Sequence, residues 1–299
     1  MAPVGMKRPV FLATAGVLAI ASSAILIRLA FAEAGRADPF FALAIAAARI
    51  LVATLLLLPF SALKKIKPSD LPAIRFALLS GLILAVHFGT WFSSLAYTSV
   101  VISTTLVTTN PIWVALLSLI FLKEFPPAKA WPGIIIAIVG SFWMSLQEAQ
   151  ALENTEVELL GPLLALMGAI CASCYLLLGQ AAQRRGLSVL QYSVIAYGIA
   201  GSALAMGVTL FGSWPTWSPV LLLIVAAMAL GPQIFGHTSI NGLLRVWKPA
   251  SVATLILLEP VGAGVFAGLF LDEWPSTSVF MGAAIVLGGV LWTIRIQET

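Results

Sequence analysis

Along this chain, polar residues interrupt long apolar stretches at intervals that match the roughly 20 residues a helix needs to cross a bilayer. The pattern predicts ten helices, over residues 9–32, 40–60, 71–95, 99–122, 129–147, 160–182, 189–211, 219–243, 250–271 and 277–296. Lipid gives the backbone no hydrogen-bonding partner, so a spanning segment must be a helix or belong to a closed barrel. No stretch alternates apolar and polar residues as barrel strands do. The expected fold class is an all-α integral membrane protein with ten transmembrane helices.

Composition agrees with that pattern. The 299 residues are 60% hydrophobic and only 9% charged, with mean hydropathy +1.03, whereas about a quarter of a soluble domain is charged. The first stretch follows Lys7 and Arg8 and ends in Ala30, Phe31 and Ala32, which resembles a signal cleavage site. Its apolar run is longer than the about 7–15 residues of a signal core, so it is expected to be a span.

The placement of charge predicts the orientation. Of 16 basic residues, 13 fall on the side of the N-terminus or near its membrane edge: Lys7, Arg8, Lys64, Lys65, Lys67, Arg75, Lys123, Lys129, Arg184, Arg185, Arg245, Lys248 and Arg295. Arg28 and Arg36 lie near the other side, and Arg49 lies inside the second span. The positive-inside rule then puts both termini in the cytoplasm of a multi-pass inner (cytoplasmic) membrane protein. The longest loop on the opposite side carries Glu148, Glu153, Glu156 and Glu158. No basic stripe interleaved with exposed aromatics is present, so nucleic acid is not an expected partner.

That acidic loop also divides the chain into residues 1–150 and 151–299, and a shift of 149 positions aligns the halves. PIWVALLSLIFLKEFP (Pro111 to Pro126) meets PVGAGVFAGLFLDEWP (Pro260 to Pro275), matching Phe121 with Phe270, Leu122 with Leu271 and Glu124 with Glu273. The register continues through Gly133 and Gly282, Gly140 and Gly289, and Trp143 and Trp292, giving nine identities in 33 positions. Because these include Pro, Glu, Gly and Trp, a shared apolar bias does not account for them. Five spans per copy make the second copy inverted, an arrangement typical of transporters whose site lies near mid-membrane between the repeats.

These residues carry a resemblance. NPIWVALLSLIFLKEF followed by GIIIAIVGSFW, and LEPVGAGVFAGLFLDEW followed by GAAIVLGGVLW, are similar to the paired signatures of the drug/metabolite transporter superfamily, in its EamA-type ten-helix branch. Within it, the histidine and aromatics of the third helix look most like the YddG-type exporters of aromatic amino acids. The resemblance implies two inverted five-helix repeats around a central cavity and export of small metabolites without a cofactor.

Polar groups at depth supply the candidate chemistry. Pro111 and Pro260 each remove a backbone donor at matched depth, which makes them candidate pivots together with Gly133 and Gly282; static packing is the other reading of the glycines. STTLVTTN before Pro111, with Thr105 and Asn110, offers hydroxyls either to a hydrated cavity or to neighbouring helices. Asn110 aligns with Glu259, the one acid near mid-membrane, and Arg49 is the comparably deep base. An isolated charge there is costly, so the two are expected to neutralise one another directly or through water, either bracing the bundle or serving proton coupling. His87 and Trp91, in AVHFGTW, share a helix face four residues apart. A buried imidazole needs partners, and His87 can find them in the core or in a substrate. Tyr175, Tyr197 and Gln233 complete the candidate binding set, and Phe88, Trp113, Gln180, Tyr192, Gln191, His237 and Asn241 are further aromatic or polar groups at depth.

Other functions lack their chemistry. A phosphate carrier needs free cations, a membrane hydrolase needs motifs such as H-E-x-x-H or G-x-S-x-G, and a channel needs a filter. Cys171 and Cys174 are expected to be packing residues rather than a metal or redox pair. The expected activity is alternating-access export of aromatic and other apolar amino acids by a monomer, with organic cations or drugs as the alternative and a lipid-modifying enzyme a distant third. The expected partners are the small-molecule substrate and the lipid bilayer, with no metal.

Overall fold

The computed structural model describes residues 7–61, 67, 70–123, 128–151, 159–272 and 274–297. Lys64, Lys65, Glu124, Pro126, Glu153, Glu156, Glu158 and Glu273 lie outside the described residues, as do the side chains of Lys7, Arg8 and Glu148. Every regular element among the described residues is helical. In order they are α1 Lys7–Ala21, α2 Ser23–Ala34, α3 Pro39–Ser61, α4 Leu71–Ser94, α5 Val100–Val107, α6 Asn110–Leu117, α7 Trp131–Ala151, α8 Leu160–Arg184, α9 Val189–Phe211, α10 Pro219–Met228, α11 Thr238–Leu243, α12 Pro249–Ile256, α13 Glu259–Leu271 and α14 Thr277–Gln297. Wide π turns over Ser118–Leu122 and Ala229–His237 extend α6 and join α10 to α11.

Among the described residues, eight continuous stretches are long and apolar enough to cross a membrane: Ala13–Ala34, Pro39–Ser61, Leu71–Ser94, Val100–Phe121, Leu160–Arg184, Val189–Phe211, Pro219–Leu243 and Pro249–Leu271. Shorter apolar stretches occupy Ala128–Met144 and Thr277–Thr293. Large apolar side chains such as Leu55, Phe60, Phe121, Leu163, Phe211, Leu223 and Phe270 face outward. Arg49, Thr104, Thr105, Gln233, Asn241 and Glu259 are buried. The distribution is the reverse of a water-soluble core and is stable only where the outer solvent is itself apolar.

Four stretches that hydropathy reads as single helices are interrupted near their middles. The first breaks at Ser22, whose Oγ donates to Ala19 O at 2.7 Å, a local bond that competes with helix geometry. The fourth breaks at Thr108 and Thr109, before Pro111, and the ninth at Leu257 and Leu258, before Pro260. A proline has no N–H and crowds the carbonyl four residues back. The eighth widens into its π turn around Pro232. Hydropathy windows count apolar residues and are blind to such breaks.

Helices α4 and α8, α4 and α9, and α3 and α9 pack together, and α7 lies antiparallel to α14. Backbones of α7 and α14 touch: a Cβ on Gly140 would lie 2.9 Å from Gly282 O, and one on Gly133 would lie 2.7 Å from Gly289 O. Glycine is needed there because nothing larger fits between the two main chains. Static packing therefore accounts for the glycines considered as pivots. Two indoles complete the contact, with Trp143 Nε1 donating to Ser278 O at 3.0 Å and Trp292 Nε1 to Lys129 O at 3.1 Å.

At one end of the bundle, Asp38 starts α3. Its Oδ1 accepts from Phe41 N at 3.1 Å and Pro39 follows as the first helical residue. Arg36 Nε donates to Asp38 Oδ2 at 2.6 Å, the one ion pair among the described residues. That hydrogen bond holds the Asp38 carboxyl below its ordinary range.

Candidate functional site

The helix breaks converge on a cavity. From α4 it is lined by Leu84, His87 and Trp91, from the α5–α6 break by Val107, Thr108 and Asn110, and from α8 by Ala172, Tyr175 and Leu176. Ile20, His237, Ile240, Ile256 and Glu259 close the remaining sides. The structure thus brings His87, Trp91, Asn110, Tyr175 and Glu259 together from four separate stretches of sequence. The cavity volume is about 40 Å³. That is well below the about 150 Å³ of an apolar cavity that admits benzene.

His87 Nδ1 lies 2.9 Å from Gly168 O. A carbonyl only accepts, so Nδ1 carries a proton. Trp91 lies one turn further on and stacks on His87, with ring centroids 6.0 Å apart and planes 12° from parallel. Trp91 Nε1, a group that can only donate, is buried with no hydrogen-bond partner among the described residues.

Asn110 and Glu259 each stand at the first position of a half-helix, followed by proline. Pro111 cannot donate to Val107 O, and the Asn110 side chain supplies the missing donor. Oriented to satisfy its surroundings, its amide nitrogen donates to Val107 O at 3.0 Å and Ala169 O at 3.1 Å. Asn110 is therefore a cap on the broken helix as well as part of the cavity wall. Glu259 is 5% exposed and borders the cavity. It makes no ion pair among the described residues.

Arg49 is not its direct partner. Arg49 Nε donates to Gln233 Oε1 at 2.9 Å and Nη1 to Ser23 Oγ at 2.6 Å. The guanidinium lies over Phe88, 4.8 Å from the ring centroid, and Phe92, at 5.4 Å. Two hydrogen bonds and two π faces let this buried cation exist without a carboxylate in contact. Gln233 is engaged by Arg49 and lies outside the cavity lining. Ser23 carried a faint signal, the Ser22–Ser23 pair inside an apolar run, which hydropathy passes over.

Tyr197 and Thr105 also fall outside the lining. Thr105 is buried with no partner for its hydroxyl. Tyr197 belongs to a polar cluster beneath the cavity, centred on Asn241. Asn241 Nδ2 donates to Tyr175 Oη at 2.6 Å and approaches Ser193 Oγ and Tyr197 Oη at 3.3 Å each. Gln183 Nε2 donates to Asn241 O at 3.0 Å, and Tyr192 Oη lies 2.7 Å from Ser80 Oγ. Tyr175 links this cluster to the cavity, and its phenol is held in place by Asn241. Cys171 and Cys174 are free thiols, half-buried on α8.

Comparison with known proteins agrees with this architecture. One solved crystal structure superposes with a TM-score of 0.75 over 98% of both chains at 14% identity, a likeness of fold. The uncharacterized transporter YdfC of Bacillus subtilis (strain 168) is 25% identical over 250 residues, covering 82% of this chain and 79% of its own. The uncharacterized transporter YetK of the same organism is 26% identical over 219 residues, 66% of this chain and 61% of its own. The family model of EamA-like transporters matches twice, over residues 7–146 and 159–295. With nearly its whole length matched, and with apolar helices that cross the membrane many times, this chain belongs to the EamA-like transporter family.

Proposed function

We propose that the protein carries small zwitterionic metabolites with an apolar or aromatic body, aromatic amino acids foremost, out of the cell by alternating access. One observation carries the reading: Trp91, whose Nε1 donor is buried without a hydrogen-bond partner among the described residues, and Glu259, whose carboxyl makes no ion pair among them, line the same cavity. A solute bearing both a carboxylate and an ammonium would satisfy each. The His87 and Trp91 rings offer its body a stacking face.

Two inverted five-helix repeats, ten spans in all, are the architecture this mechanism needs. Two observations support it: the family model matches the two halves separately, and the α7–α14 contacts exchange under the 149-residue shift. Gly133 against Gly289 becomes Gly282 against Gly140, and Trp143 on Ser278 becomes Trp292 on Lys129. The breaks before Pro111 and Pro260 are the hinges about which the cavity would widen, in a monomer of the inner membrane with cytoplasmic termini. Glu259 is the group on which proton coupling would rest.

Organic cations form the second reading, favoured by the absence of Arg49 from the cavity lining and by the unpaired carboxylate of Glu259. Liposome flux of phenylalanine, phenethylamine and 3-phenylpropionate, with and without a pH gradient, separates the two. Saturable flux of phenylalanine above both analogues is expected. Flux of phenethylamine alone would transfer the protein to the cation carriers.

A further inference from the structure

A second, larger space lies on the other side of the α1–α13 wall. It holds about 550 Å³ open to water-sized centres, against about 40 Å³ in the central cavity. Val17 and Ala21 of α1, Leu258 just before α13, Val265 of α13 and Leu291 of α14 form its apolar sides. One end is different: Arg295 and Trp247 line it, and the exposed Arg245 and Lys248 flank Trp247 in sequence. Trp292, one turn before Arg295, bonds Lys129 O and brings a further base to the same end.

We propose that this groove binds an anionic phospholipid, with one acyl chain between α1, α13 and α14 and the phosphate at Arg295. The chemistry matches at both ends. Apolar walls offer nothing to a polar solute, whereas an alkyl chain fills them without loss, and a guanidinium presents paired donors to phosphate oxygens. Basic residues at a membrane edge attract anionic headgroups. An indole beside them suits the headgroup level.

The wall between groove and cavity is thin. Ile20 faces the cavity and Ala21 the groove; Glu259 faces the cavity and Leu258 the groove. A Cβ on Gly262 would lie 2.6 Å from Ala21 Cβ, so α1 and α13 are already in contact there. A lipid chain in the groove buttresses the helix pair that must move if the cavity is to widen. The groove is thus a place where membrane composition acts on the protein.

The test is binding to the full chain in neutral detergent, read as the shift in Tm on adding phosphatidylglycerol, phosphatidylcholine of identical chains, or inorganic phosphate. Phosphatidylglycerol should raise Tm by several degrees more than phosphatidylcholine, and phosphate alone should do nothing. Arg295→Gln should abolish the difference between the two lipids while keeping the common shift. Leu291→Trp, which fills the groove from an already outward-facing position, should remove most of both shifts. Equal shifts from the two lipids in the unmodified protein, or an undiminished preference in Arg295→Gln, would overturn the proposal, as would native mass spectra showing a second copy in place of lipid. Since no readout is flux, failure here leaves the substrate reading untouched, and failure of that reading leaves this one.

Discussion

Glu259 and Trp91 ask opposite things of a ligand, and each can be silenced by a near-isosteric change. Trp91→Phe keeps an aromatic face but removes the N–H. The proposed site then loses one hydrogen bond to carboxylate, about 1.4 kcal/mol or roughly tenfold in apparent KM for phenylalanine, with little change for phenethylamine. Glu259→Gln removes the charge that would hold an ammonium, and flux of both compounds should fall at least about tenfold while folded yield stays near that of the unmodified protein. Flux undiminished in either variant would take that residue out of the site. Asn110 makes a different case, because its amide completes the broken helix at Val107 O and Ala169 O. Asn110→Ala leaves the buried Val107 O short of a donor, while Ala169 O keeps Ser173 Oγ at 2.8 Å, so a loss of about 1–3 kcal/mol is expected, seen as a lower Tm in detergent. A flux defect without that loss would assign Asn110 to ligand binding instead.

Among whole elements, the broken helices and the α7–α14 pair do opposite work. Breaks before Pro111 and Pro260 cost backbone hydrogen bonds, and they place a half-helix start and two polar side chains at mid-depth where continuous helices would present only side-chain stripes. The α7–α14 contact has no such break; its glycines let two straight helices meet main chain to main chain. Gly140→Leu would drive a side chain into Gly282 O and Val286 N, both within 3 Å of a Cβ at that position. Separating the helices also strains the two indole bonds, Trp143 to Ser278 O and Trp292 to Lys129 O. The expected penalty is about 1–3 kcal/mol or more, read as lower Tm and folded yield. Unchanged stability would mean that α7 and α14 can separate freely, and that the proposed twofold contact is not a fixed strut.

For the molecule as a whole, orientation is the property most open to a direct check. In a Cys171→Ala, Cys174→Ala background, a cysteine at Ala37, beside the Arg36–Asp38 pair, should react in intact cells with a thiol reagent that cannot cross the membrane. One at Arg184, exposed at the end of α8, should react only after the cells are opened. The reverse pattern would invert the topology and turn export into import. The cavity volume of about 40 Å³ belongs to the same scale, because carrying an aromatic solute requires a wider cavity at some point in each turnover.

Much of this was legible in the chain. Membrane spans follow from composition, since lipid admits only helices or closed barrels. The charge asymmetry and the 149-residue register are equally plain in the letters, because Pro, Gly and Trp recur in that register along with the apolar filler. His87, Trp91, Asn110, Tyr175 and Glu259 could be chosen as polar or aromatic groups at depth. What the letters could not decide was partnership. Arg49 and Glu259 look like natural counter-ions, being the deep base and the deep acid, yet Arg49 turns to Gln233, Ser23 and two phenylalanine rings. Tyr197 and Gln233 are equally polar and equally deep, but one joins the Asn241 cluster and the other holds Arg49. Depth along a helix is a one-dimensional property that a sequence carries, whereas the direction a side chain faces around the bundle depends on how distant helices pack and where they break. Only the tertiary structure settles that, and it is what leaves Trp91 and Glu259 unpaired in the same cavity.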